Sequence, residues 1–255
     1  MPRPAKKFLY GVFYLFILAL ILWPIVKSFQ TTTASCFDNV QNQNETGVDC
    51  GGSCASCAIK NLEAVRLLTP VKFFSLSSGE TVLLAEVLNP NADYDAVNTS
   101  YIFKIYNADS QLLQRVSGAI IIYGGERRYI FSADVSLAAQ TIARVDIEFL
   151  KPDWRSVGES LRPNFAPTSK IKTEISEKNI KVSGSLVNQS SLAVSEVELI
   201  AILHDRLGEP IFASKTILTD INGLEERTFV ISFPSDSSLA SRLNSNATEV
   251  FANVK

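Results

Sequence analysis

The sequence predicts an all-β protein in which two tandem β-sandwich domains follow a single transmembrane helix and a small disulfide-rich module. Three observations predict this order. An uncharged apolar run lies near the N-terminus, all four cysteines follow it within one short stretch, and the remaining chain alternates short apolar runs with Gly, Asn, Pro and Ser. Alternation with a period of two indicates half-buried strands, and strands at short intervals favour a sandwich.

The apolar run predicts a membrane anchor. Residues 8–26 carry no charged side chain, and about 20 apolar residues are needed to cross the hydrocarbon core. Arg3, Lys6 and Lys7 precede the run and Lys27 follows it, a bias that places the N-terminus in the cytoplasm and the bulk of the chain outside it. A cleaved signal peptide is the alternative, but its apolar region is usually only about 7–15 residues long. We therefore expect an uncleaved signal anchor.

The charge balance argues against a nucleic-acid partner. The chain has 24 basic and 26 acidic residues, and the segment before Ser35 holds four basic residues and no acidic one. The remainder therefore has 24 − 4 = 20 basic against 26 acidic residues, a balance of −6. Binding to phosphates needs a basic surface, so no nucleic-acid partner is expected. The expected partners are the membrane and proteins or other components of the cell envelope.

The cysteines predict two structural disulfides. Four cysteines allow three connectivities, and the pairing stays open at this point: Cys36, Cys50, Cys54 and Cys57. Their segment has too few apolar residues to bury a core, so crosslinks must hold it. We expect its glycines to supply positive-φ turns: Gly47, Gly51 and Gly52.

The same segment offers oxygen ligands for a hard cation. A structural calcium site is predicted from four of them: Asp38, Asn42, Asn44 and Asp49. The alternative, that these residues only form turns, stays open, and no other cofactor is expected. Zinc held by the four sulfurs or a redox-active Cys54-x-x-Cys57 are further interpretations, but the wide spacing of Cys36 and Cys50 and an oxidising compartment favour disulfides.

The cysteine segment resembles a short motif of bacterial surface and secreted proteins, Cys-x-Asp-Gly-x-x-Asn-x-x-Glu-x-x-x-Asp-Cys-Gly-Gly-x-Cys-x-x-Cys. Asn39 stands where the motif has glycine, which an Asn in the left-handed region can replace. The resemblance implies a stalk near a cell surface without catalytic activity. The matching positions are Cys36, Asp38, Asn42, Glu45, Asp49, Cys50, Gly51, Gly52, Cys54 and Cys57.

The rest of the chain contains two similar halves. Val97, Thr99, Tyr101, Phe103 and Ile105 share one face of a predicted strand, and a later strand places four residues inward: Val197, Leu199, Ala201 and Leu203. EVLNPNADYDAV precedes the first strand and SLVNQSSLAV the second, which aligns Asn89 with Asn188. GGERRYIF and NGLEERTFV follow at equivalent places. Self-similarity at this length indicates a duplicated domain.

These motifs resemble the FxLYD family of small bacterial β-sandwich domains. The first copy has Phe103-x-Ile105-Tyr106-Asn107, and the second has the lead-in Val182-x-Gly184-x-Leu186-x-Asn188. The first copy lacks the lead-in glycine, and the second has Ala201 and His204 in place of the aromatic residues. The resemblance implies an immunoglobulin-like fold, an extracytoplasmic setting and no catalytic residues to transfer.

The predicted boundaries follow from these features. A segment with three prolines, 152–169, separates the two halves as a semi-rigid linker; docking of its aromatic residues Trp154 and Phe165 on a domain is the alternative. The tail is either a last strand or a frayed end. The parts are a cytoplasmic stub 1–7, an anchor 8–27, a stalk module 28–60, a first sandwich 61–151, the linker 152–169 and a second sandwich 170–255.

No catalytic constellation is found in the sequence. His204 is the one histidine and is expected to be a partly buried strand residue. Glu196 and Glu198 alternate with apolar residues, which predicts a solvated strand face. The leading hypothesis is a non-enzymatic protein that presents two sandwich domains for binding or scaffolding at the cell envelope. The alternative is an accessory subunit of an envelope or secretion complex, recruited through its transmembrane helix.

Overall fold

A computed structural model describes residues 3–29, 35–42, 44–75, 79, 81–159, 161–167, 171–176, 179–234 and 237–255. The chain forms two compact units, residues 1–61 and 62–255. The first unit is helical and disulfide-bonded, and the second is built of antiparallel strands.

The first unit begins with helix α1, Arg3–Phe29. Its stretch Lys6–Pro24 has a mean hydropathy of 1.8 over 19 residues, and none of it is buried within the molecule. In the described part of the chain it is the one helix long and apolar enough to cross a membrane. Apolar side chains on every face are typical of a helix surrounded by lipid.

The cysteine module of the first unit contains both predicted disulfides. Cys36 pairs with Cys54 and Cys50 pairs with Cys57, and a short 3₁₀ turn, Cys57–Asn61, closes the module. Gly51 and Gly52 have the expected positive φ, 80° and 61°.

The expectation for Gly47 was wrong. It is not among the described positive-φ residues. Glycine allows close packing there, because a Cβ would lie 3.0 Å from Cys50 Sγ and 3.1 Å from Cys57 Sγ, tighter than an ordinary van der Waals contact.

Besides two 3₁₀ turns, Ala139–Thr141 and Ser245–Ala247, the second unit contains fifteen strands and one short α-helix in its described residues. They are β1 (Arg66–Leu67), β2 (Lys72–Ser75), β3 (Thr81–Leu88), β4 (Tyr94–Tyr106), β5 (Leu112–Ile122), β6 (Arg127–Val135), β7 (Arg144–Phe149), β8 (Asp153–Ser156), β9 (Phe165–Pro167), β10 (Lys172–Ile175), β11 (Asn179–Asn188), β12 (Val194–His204), β13 (Pro210–Ile221), β14 (Glu226–Pro234), α2 (Ser237–Arg242) and β15 (Glu249–Val254).

These strands form two sandwiches with the same topology. In the first sandwich, one sheet has β3 at its centre, with β1 and β2 on one side and β6 on the other. Its second sheet has β4 at its centre, with β5 on one side and β7 and β8 on the other. In the second sandwich, β11 lies between β14 and the pair β9 and β10, and β12 lies between β13 and β15. The predicted fold class is confirmed.

Two buried asparagines show how closely the copies correspond. Asn89 Nδ2 donates to Tyr94 O (2.7 Å) and Ile122 O (3.1 Å), and its Oδ1 accepts from Asn91 N and Nδ2. Asn188 makes the same four-bond pattern in the second copy: Nδ2 donates to Leu192 O (2.7 Å) and Asn222 O (2.9 Å), and Oδ1 accepts from Ser190 N and Oγ. Both side chains are fully buried.

A glycine beside each asparagine completes this correspondence. A Cβ on Gly124 would lie 2.4 Å from Ala92 O, and one on Gly223 would lie 2.4 Å from Ser191 O. The loop that follows each asparagine therefore touches the backbone of the opposite hairpin, and a larger residue cannot fit without moving that loop.

The two sandwiches pack against each other through strand β3. Its residues Leu83, Ala85 and Val87 enter the core of the first sandwich. Val82 and Leu84 face the other way and belong to the apolar cluster of the second sandwich. The nearly continuous apolar sequence TVLLAEVL is therefore explained by burial on both faces.

The segment predicted as a linker, 152–169, contributes strands to both sandwiches. Strand β8 pairs with β4, and β9 pairs with β11. Trp154 packs on the first core and Phe165 on the second, as the docking alternative predicts. The tail contains a last strand, β15, rather than a frayed end.

Candidate interdomain binding cleft

A cleft of about 380 Å³ lies between the two sandwiches, within the range of about 300–1,000 Å³ typical of ligand pockets. Strands β5 and β6 of the first sandwich form one wall, and residues of β12, β13 and the end of β15 form the other. The polar side chains that line it are Asn98, Tyr101, Ser117, Tyr129, Ser132, Asp134, Glu198, Lys215, Asn253 and Lys255.

A carboxylate with two ammonium groups forms the wall on the second sandwich. Glu198 Oε2 lies 2.8 Å from Lys215 Nζ and 3.1 Å from Lys255 Nζ. Lys255 Nζ also lies 3.5 Å from Glu196 Oε1. The side chain of Glu198 is only 8% exposed, whereas those of both lysines are about a third or more exposed.

The expectation that Glu198 lies on a solvated strand face was therefore wrong. Glu198 shares its face of β12 with Ile200 and Ile202, which are fully or almost fully buried. The first sandwich covers this face, so the carboxylate is removed from bulk water and needs the two lysines as partners.

Tyr101 lines the cleft from the first sandwich. Tyr101 pairs with Gly118 across β4 and β5, and a Cβ on Gly118 would lie 2.3 Å from the Tyr101 hydroxyl. The ring therefore needs glycine at that position. Burial, and then the negative charges of Glu198 and Asp134, raise the pKa of Tyr101 to about 12, so its hydroxyl stays protonated at neutral pH.

Two side chains join the sandwiches beside the cleft. Asn253 Nδ2 donates to Tyr129 O at 2.7 Å, and Arg128 Nη1 donates to Ala252 O. Asn253 is 3% exposed, and its Oδ1 has no hydrogen-bond partner among the described residues. A buried acceptor without a donor is costly.

The four residues predicted to bind calcium lie in the cysteine module, and hydrogen bonds of that module use most of them. Asp49 Oδ1 accepts from the backbone N–H groups of Asp38 and Asn39, and Asn42 Nδ2 donates to Asp38 Oδ2. Asn44 and Asp49 have positive φ, 73° and 52°, as turn residues do. This geometry fits the turn-forming alternative, and calcium stays a prediction.

Glu45, a position of the cysteine motif, stabilises this module in a way that the sequence pattern did not predict. It is buried, and its Oε2 accepts from Asn42 N and Asp49 N, both at 3.2 Å. Glu45 lies next to Cys36 and Cys54, but those sulfurs are joined in a disulfide and offer no thiolate to zinc. The described module therefore has a carboxylate core that stabilises its turns.

His204 ends strand β12, where it was expected as a partly buried strand residue. Its Nδ1 lies 2.7 Å from Ala247 O, and its Nε2 lies 3.8 Å from a Glu249 carboxylate oxygen. These two contacts anchor the ring at the end of the strand.

Comparisons with known proteins leave the family open. No protein-family model matches the chain, and no curated protein matches it. The resemblances to the cysteine motif and to the FxLYD family therefore stay predictions.

One similar solved structure is the N-terminal CBM22-1–CBM22-2 tandem domain of Xyn10C from Paenibacillus barcinonensis. It is 8% identical, covers 75% of this chain and 86% of its own, and has a TM-score of 0.17. Similarity at this level transfers neither a ligand nor an activity.

Proposed function

We propose that this chain is a non-enzymatic, membrane-anchored protein that presents its two sandwiches outside the cytoplasm for binding or scaffolding at the cell envelope. The observation that carries the proposal is the packing of the two sandwiches into one unit. Strand β3 contributes to both apolar clusters, and side chains of β6 and β15 bond across the boundary.

This construction favours a binding surface of fixed shape. Tyr129 of the first sandwich stacks on Phe251 of the second with ring centroids 4.4 Å apart, and Lys72 pairs with Glu209 at 2.7 Å. Contacts between domains that are apolar at the centre and charged at the rim restrict domain motion. A partner therefore meets a preorganised surface, which reduces the entropy cost of binding.

The first unit supports the setting of the proposal. Helix α1 supplies an anchor by length and composition, and two disulfides are typical of an oxidising compartment outside the cytoplasm. The basic residues Arg3, Lys6 and Lys7 at the start of the chain favour a cytoplasmic N-terminus.

The experiment that tests this function is photo-crosslinking of the full-length protein in intact cells that produce it. A photoreactive residue is placed at an exposed position of the second unit, Leu207 or Leu224. The proposal predicts adducts with envelope components. Adducts with cytoplasmic proteins alone, or none from either position, would contradict it.

Replacing residues 8–26 with an unrelated apolar helix distinguishes a simple tether from a subunit recruited through its helix. A tether keeps the same adducts, because the second unit makes the contacts. A subunit whose helix packs against specific partner helices loses them.

A further inference from the structure

The outer edge of strand β5 faces the interdomain cleft. Residues 117–121 are consecutive, and all of them line the cleft. Because side chains of a strand alternate between two faces, five consecutive residues can line one cleft only if the strand edge points into it. In the described part of the chain, β5 pairs with β4 alone.

The same wall of the cleft presents a second strand edge, that of β6. Residues 129–132 of β6 also line the cleft consecutively, and β6 pairs with β3 alone among the described strands. We call the part of the cleft that runs between the edges of β5 and β6 the slot. It ends at Gln114, whose Nε2 donates to Asp134 O at 2.9 Å. The slot therefore lies where the two sheets of the first sandwich part.

The edge of β5 lacks the features that usually prevent strand addition. Proteins protect exposed edges with charged residues, proline or very short strands. The segment 116–123 reads VSGAIIIY, with no charge and no proline, and β5 is 11 residues long. Ser117 and Ala119 are exposed, so small side chains leave the backbone accessible.

We infer that this cleft binds an extended segment of a partner protein, which adds as a strand to the free edge of β5. Such a segment offers alternating N–H and C=O groups to the edge. The five lining residues of β5 span about 17 Å at about 3.4 Å each. That length accommodates the main chain of a short peptide.

The side chains around the slot complement a polypeptide backbone. The Tyr101 hydroxyl has no hydrogen-bond partner in the described part of the chain, and its raised pKa keeps it a donor. Lys215 and Lys255 extend their partly exposed ammonium groups from the opposite wall, where a C=O or a carboxylate of the segment can accept.

A second copy of this chain does not fit the same edge. Pairing of two β5 edges would require two flat, open edges to meet. Here residues of the second sandwich, including Asn253 and Lys255, line the cleft opposite β5, and the same wall would stand in each copy. A single extended segment can enter such a slot, but the edge of another folded sandwich cannot.

The test uses the full-length protein in nanodiscs and a displayed library of random peptides about eight residues long, enough to span the five lining residues of β5 and extend beyond them at both ends. The variants are Ala119→Arg, which fills the slot, and Thr219→Arg, a control at an exposed position of β13 that does not line the cleft. An enriched peptide is then synthesised and its dissociation constant is measured against each protein by fluorescence anisotropy.

The expected result is an enriched peptide whose affinity falls at least about tenfold with Ala119→Arg and stays within about twofold with Thr219→Arg. The N–H groups of alternate residues in a strand point to opposite edges, and only one edge of the peptide pairs with β5. Methylating the backbone nitrogens of one alternate set should therefore abolish binding, and methylating the other set should leave it unchanged. Tyr101→Phe, which removes only the hydroxyl, should weaken binding by about three- to tenfold. It provides a second variant if Ala119→Arg does not fold.

Several results would overturn the inference: no enriched peptide, binding insensitive to Ala119→Arg, or equal tolerance of methylation in both registers. Concentration-dependent dimerisation that Ala119→Arg abolishes would also overturn it, because a second copy would then occupy the edge. The inference rests on the proposed binding function, but the failures differ. Crosslinks to an envelope partner in cells, combined with no peptide binding by the purified protein, would refute the cleft inference and leave the proposed function standing.

Discussion

The paired asparagines give the sharpest stability prediction, because the duplication supplies its own comparison. Asn89→Ala and Asn188→Ala each remove four hydrogen bonds from a fully buried side chain. At about 0.5–1.5 kcal/mol for each bond, the loss is about 2–6 kcal/mol. Two backbone carbonyl groups in each copy also lose their donor. We therefore expect each variant to lower the free energy of unfolding by about 3–4 kcal/mol.

The measurement is urea unfolding of the full-length protein in detergent, followed by β-sheet circular dichroism. Asn107→Ala is the control, because its bonds to Gln111 lie at the surface, and it should cost less than about 1 kcal/mol. A loss below about 1 kcal/mol for either buried asparagine would refute the hydrogen-bond argument. A difference of more than about 2 kcal/mol between Asn89→Ala and Asn188→Ala would refute the structural equivalence of the two copies.

Three other predictions concern single interactions. Burial and two neighbouring carboxylates raise the pKa of Tyr101 from 10.0 to about 12, so the unfolded chain releases this proton first. The wild type should therefore lose about 1–2 kcal/mol more stability than Tyr101→Phe between pH 10 and 12, after allowance for partial exposure. Arg162→Ala removes the guanidinium, whose Nε lies 3.0 Å from the fully buried Asp95 carboxylate, and should cost about 3–5 kcal/mol in urea unfolding; a loss under about 1 kcal/mol would contradict a buried ion pair. Replacing Cys36 and Cys54 with serine opens a loop with a sequence separation of 18, which should destabilise the module by about 3 kcal/mol. The measurement is limited proteolysis, in which the module should be cleaved faster than in the wild type. An unchanged cleavage rate would show that the turns alone stabilise the module.

The local chemistry of the sequence predicted much of the fold. The long apolar run without charged residues predicted the helix, and the four closely spaced cysteines predicted the disulfides. The alignment of Asn89 with Asn188 identified two residues that make the same hydrogen bonds in the two copies. Each of these signals lies within a short stretch of chain, where spacing alone decides the structure.

Features that depend on packing between the sandwiches were not predicted. The buried environment of Glu198 depends on the first sandwich covering β12, and no neighbour in sequence indicates that cover. Asn253 and Tyr129 are 124 residues apart, so their bond has no local signal. Strand β3 did carry a signal, since an apolar run on both faces is typical of a strand with two buried sides.

The proposed function depends most directly on the cysteine module lying outside the cytoplasm with all four cysteines paired. Its most direct test is labelling of intact cells with a membrane-impermeant maleimide, with and without an impermeant reductant. We expect no labelling before reduction and labelling of Cys36, Cys50, Cys54 and Cys57 after it, because both disulfides are formed. Thiols that react only once the membrane is broken, and then without reductant, would place the module in the cytoplasm and contradict the proposed function.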